Sequence, residues 1–169
     1  MNCPVSYNDV FEVNKHNFNE IAIEIFRYQS ANNTVYKNYL KHIGFDNDSV
    51  THFTEIPYLP IELFKGHKIL TGTGNNSELI YFESSSTTGK NTSKHFVPDM
   101  MWYKKSYLTG FVLKYGNIHD WCILALLPNY LENKHSSLIT MVDDLIKRSR
   151  NQNSGYFLDD ATGLKNQII

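Results

Sequence analysis

"IYFESSSTTGKNTSKHFVPD", residues 80–99, decides how the fold is read: a short apolar run breaks off into Ser84, Ser85, Ser86, Thr87, Thr88 and Gly89, followed by Lys90 and more serine, threonine and basic residues. The preceding "ELIYFES" has the β-branched and aromatic content of a strand. From Asp99 the period changes, and Tyr103, Tyr107, Leu108, Phe111, Val112 and Tyr115 mark one face of a helix closed by Gly116. A hydroxylic loop between a strand and a helix is either a solvated linker or, at the carboxyl end of a strand in an open α/β sheet, a place where ligands bind.

Downstream the alternation continues. "WCILALLP" (121–128) is a continuous apolar run of strand length, the pattern of a strand buried on both faces. Ser136 or Ser137 then caps a helix with a stripe of Leu138, Met141, Val142, Leu145 and Ile146, and "KRSR" places cations in its last turn, where they suit the dipole. "GYFLDD" (155–160) reads as a third strand. Strand, helix, strand, helix, strand in that order predicts an α/β protein with a mostly parallel sheet and crossover helices.

Upstream the chain is helical. Asn17 with Glu20 has the spacing of a variant capping box, and Phe18, Ile21, Ala22, Ile25 and Phe26 continue at helical spacing to about residue 32. A second helix is expected over 35–43, stopped by Gly44. Pro57 and Pro60 bias their neighbours to extended backbone and leave room for a short helix over 61–65. Residues 1–54 therefore form a helical lead-in and 55–169 the α/β portion of one structural unit.

Composition narrows the partners. With 169 residues, 41% of them hydrophobic, and a formal charge of −1, the chain is long enough for a core and shows no basic face for nucleic acid. No apolar window approaches the ~20 residues of a membrane span, and the start "MNCPVSYNDVFEV" lacks the layout of a signal peptide. Cys3 and Cys122 are too few for a disulfide framework, so a cytoplasmic, reducing setting is expected. No His/Cys/Asp/Glu group has metal-ligand spacing, and the pairs Asp143-Asp144 and Asp159-Asp160 read as solvated faces.

A Walker A loop requires Gly-x4-Gly-Lys-Ser/Thr, and aligning on Gly89-Lys90 puts Ser84 in place of the first glycine and Asn91 in place of the magnesium-binding hydroxyl. A dinucleotide fingerprint fails as well, because "TGTGNN" holds Gly72 and Gly74 but no third glycine. What remains is a hydroxyl-rich phosphate cradle in which side-chain donors add to the backbone N–H groups, Gly89 permits a close turn, and Lys90 or Lys94 adds charge.

"ESSSTTGKNTSKH" resembles the Ser-Ser-Gly-Thr-Thr-Gly phosphate loop of the adenylate-forming enzymes. With "IPYLPIELFK" before it, "SKHFVPD" after it, and "LLPNYLE" and "SSLITMVDDLI" downstream, the chain is similar to LuxE-type acyl-protein synthetases and their phenylacetate-CoA-ligase-like relatives over about residues 55–160. The family's third loop position is glycine, whereas this chain has Ser86.

The resemblance implies ATP, with magnesium brought by it, as cofactor. It also implies a small carboxylic acid or fatty acid as substrate, and a thiol, of coenzyme A or of a protein cysteine, as acceptor. Ser84, Ser85, Ser86, Thr87, Thr88, Gly89 and Lys90 would hold the β- and γ-phosphates, with Thr87 and Thr88 as side-chain donors, and Asn129 and Tyr130 would line the acyl pocket. No residue is assigned a catalytic role. The same resemblance implies an amino-terminal portion, inactive alone, with the adenine-binding region and the catalytic lysine beyond residue 169 and neither Cys3 nor Cys122 in the acyl-accepting position. A non-catalytic binding or assembly module derived from such a domain is the alternative, and self-association through surface left uncovered is expected. His95 beside the loop and the hydroxyls of Ser136 and Ser137 are further anion-binding candidates whose ordinary roles are surface and capping.

Overall fold

A computed structural model of the chain describes residues 3–72, 79–84, 92–129 and 133–168. The architecture is mixed α/β with helices leading. Contacts divide the chain into two units: one runs to Tyr81 and takes in the returning segment that ends at Pro98, and the other holds Phe82–Ser84 and continues from Asp99.

In the first unit, α1 (Tyr7–Phe11) is opened by Ser6 and Asp9 in a reciprocal capping box, a helix the sequence reading did not include. α2 (Phe18–Asn32) and α3 (Thr34–His42) follow the expected pattern. The expected capping box at Asn17 does not form: its backbone is helical, and its Oδ1 accepts Asn14 N–H at 2.7 Å instead. Asn33 separates the two helices. Its extended backbone ends α2, and its buried Oδ1 accepts Tyr36 N–H at 3.1 Å, so one residue stops one helix and caps the next.

α3 ends in a Schellman turn, with Gly44 at φ 67°, Gly44 N–H donating to Lys41 O at 3.2 Å and Phe45 N–H to Leu40 O at 3.0 Å. Those bonds fold Phe45 back onto the core of Ile23, Phe26, Tyr36, Leu40 and Val50. A Cβ at Gly44 would meet no atom within 4 Å, so only the left-handed backbone opposes it. Gly44→Ala is therefore expected to lower stability by about 1 kcal/mol in urea denaturation. An unchanged or raised midpoint would contradict the left-handed assignment.

α4 (Leu63–Gly66) lies two residues beyond the expected start, after Pro60. β1 (Ile80–Glu83) begins in the first unit and ends in the second, and β2 (Lys94–Val97), which the sequence reading missed, pairs with it. Its four residues run as two polar, Lys94 and His95, and then two apolar, Phe96 and Val97, which gave β2 no recognisable alternation.

The second unit contains α5 (Met100–Tyr115), capped by Asp99 and stopped at Gly116, φ 77°. It continues with β3 (Leu124–Ala125), α6 (Ser137–Ser149), β4 (Gly155–Tyr156) and α7 (Ala161–Ile168). β3 and β4 are parallel, Leu124 opposite Gly155 and Ala125 opposite Tyr156, with α6 between them in sequence. That is the expected strand–helix–strand unit, but the single, mostly parallel sheet is not formed by the described residues, whose four strands fall into two separate pairs.

"WCILALLP" is corrected too: only Leu124 and Ala125 are strand, and Trp121, Cys122 and Leu126 are exposed, so the run is not buried on both faces. In α6 the buried positions are Ile139, Leu145 and Ser149, and Leu138, expected in the stripe, is exposed.

Candidate functional site

β1 ends at a defined place. Phe82 is buried against Tyr103 of α5, ring centroids 4.9 Å apart. One residue on, Glu83 N–H donates to His135 O at 2.9 Å, which ties the end of the strand to the segment that opens α6. Tyr103 O–H completes the link by donating to Ser137 O at 2.7 Å. Ser84 is thus the first exposed residue after a strand end clamped beside the amino terminus of a 13-residue helix, where the unsatisfied N–H groups and the dipole favour negative charge.

Of the expected phosphate-binding residues, Ser84 is described, and Ser85, Ser86, Thr87, Thr88, Gly89 and Lys90 lie outside the described residues. Asn129, half-buried, follows β3, whose carboxyl end leads towards α6; Tyr130 lies outside the described residues.

The capping reading holds for Ser136, whose Oγ accepts Ile139 N–H at 3.3 Å. Its carbonyl accepts Thr140 N–H at 3.0 Å and the Thr140 hydroxyl at 2.9 Å. In the first unit His95 is stacked on Phe64 at 6.1 Å, and Lys94 Nζ sits 4.5 Å from the centre of the Tyr81 ring. Among the described residues no group of three or more His, Cys, Asp or Glu side chains is arranged to hold a metal ion.

A partly exposed polar bridge joins α5 to α6 and was not anticipated. Tyr107 O–H donates to Asp144 Oδ2 at 2.7 Å, and Arg148 Nε donates to the same oxygen at 2.5 Å. Tyr103 and Tyr107 rings meet edge-on at 5.2 Å, so the aromatic row runs from Phe82 to Asp144. Burial, and then the hydrogen bond to Asp144, raises the Tyr107 phenol above its ordinary value. Burial acts to raise the Asp144 carboxyl, but the hydrogen bonds from Tyr107 and Arg148 outweigh it and hold the group below its ordinary value.

Asp143-Asp144 is therefore not a solvated pair: Asp143 binds Lys147 at 2.6 Å on the helix surface while Asp144 faces Tyr107. The signal was present in the helical spacing of Tyr103 and Tyr107, which places two phenol groups on the face that packs. It did not say which carboxylate would receive them.

No helix among the described residues is long and apolar enough to cross a membrane. No family model matches the chain, and no curated protein or solved structure matches it either.

Proposed function

We propose that this chain supplies the nucleotide-phosphate loop of an ATP-dependent carboxylate-activating ligase of the LuxE or phenylacetate-CoA-ligase-like kind. The observation that supports it most is the bond from Glu83 N–H to His135 O, which sets the start of the hydroxylic loop beside the amino terminus of α6. The parallel β3–α6–β4 unit is consistent with a larger parallel sheet in the same fold. In the proposed reaction a carboxylate oxygen attacks the α-phosphorus of ATP and the bond to pyrophosphate breaks. A thiolate of coenzyme A or a protein cysteine then attacks the acyl carbonyl and expels AMP. Such transfer depends on donors and cations preorganised around the phosphoryl oxygens.

Thr87 and Thr88 are the proposed hydroxyl donors, Lys90 the charge partner, magnesium the ion carried in with ATP, and Asn129 with Tyr130 the wall of the acyl pocket. A cytoplasmic setting belongs to the same proposal; Cys3 and Cys122 are both free and exposed.

A second reading, a non-catalytic assembly module, is favoured by the apolar surface of the second unit, where Leu113 is 83% and Leu126 57% exposed. Titration calorimetry with ATP and magnesium separates the two. On the ligase reading ATP binds, Thr88→Ala weakens it about tenfold through loss of one hydrogen bond, and Ser86→Gly strengthens it by freeing the loop backbone. No binding by either the parent chain or Ser86→Gly would overturn the ligase reading and leave the module.

A further inference from the structure

We draw no further inference here: the strongest candidate, the half-open apolar groove that α2 lines in the first unit, with Val13, Phe18 and Tyr58 exposed along it, carries nothing because nothing in the structure shows what covers it.

Discussion

Phe26→Ala is expected to destabilise the first unit by about 3–5 kcal/mol, the range for removing a fully buried aromatic side chain. Phe26 is 3% exposed and forms edge-to-face contacts with Tyr36 at 6.1 Å and Phe45 at 6.3 Å, so its ring joins α2 to α3 and to the turn that follows. Little can relax into the vacated space, because one side already borders a half-open apolar pocket. Phe18, eight residues earlier on the same helix, is 45% exposed and touches Phe53 at its edge. Phe18→Ala is correspondingly expected to cost a fraction of that. Urea denaturation followed by circular dichroism reads the difference, and a Phe26→Ala loss below about 1 kcal/mol would mean that the ring does not hold α2 and α3 together.

How much of this was legible in the sequence depended on the length of each pattern. α2, α3, α5 and α6 each carry enough turns for the apolar period to emerge above chance, and the stops of α3 and α5 at Gly44 and Gly116 are residues whose backbone freedom ends a helix. β2, β3 and β4, with four, two and two residues, are set by pairing across the sheet, and no local pattern specifies a partner. "WCILALLP" shows the same limit from the other side. Eight residues with few polar atoms look like a strand buried on both faces, yet exposure at Trp121 and Leu126 is decided by what packs there.

The site followed the same rule. The place of Ser84 after a strand could be read from the change of period around it, whereas the bond to His135 O that brings α6 alongside joins residues 52 positions apart. The half-open apolar pocket that α2 lines in the first unit could not be read at all. Phe18, Ile21, Ala22, Ile25 and Phe26 signal a buried helix face, and whether such a face closes on a partner or leaves space depends on the size of side chains on other elements.

Asp144→Ala is expected to destabilise the second unit by about 1–2 kcal/mol, because it takes the acceptor from the half-buried Tyr107 phenol and breaks an exposed helical ion pair with Arg148. Tyr107 O–H, half-buried, and Arg148 Nε both lose the Oδ2 atom they share. Tyr107→Phe removes only one of those donors and leaves the Asp144–Arg148 pair, so about 1 kcal/mol is expected. The double variant should cost less than the two single losses added together, since no phenol is then left unpaired.

The pH dependence gives an independent signature. Asp144 is held below its ordinary 3.8, so its contribution is present above that value and is lost as the pH falls further and the folded-state carboxyl takes up a proton. Tyr107 is held above its ordinary 10.0, so its contribution is present below pH 10 and is lost as the pH rises through its folded value. Tyr107→Phe should therefore flatten both limbs of a stability profile: the alkaline limb because the phenol is gone, the acid limb because the carboxylate has lost a donor that favoured its charged form. Tyr36 and Tyr156, each pushed up to about 12 chiefly by burial, retain part of the alkaline slope. Thermal unfolding of the parent chain and Tyr107→Phe between about pH 3 and 11 measures both limbs. Superimposable profiles would show that the phenol and the carboxylate do not share a proton-linked bond, and that the aromatic row from β1 to α6 is held by packing alone.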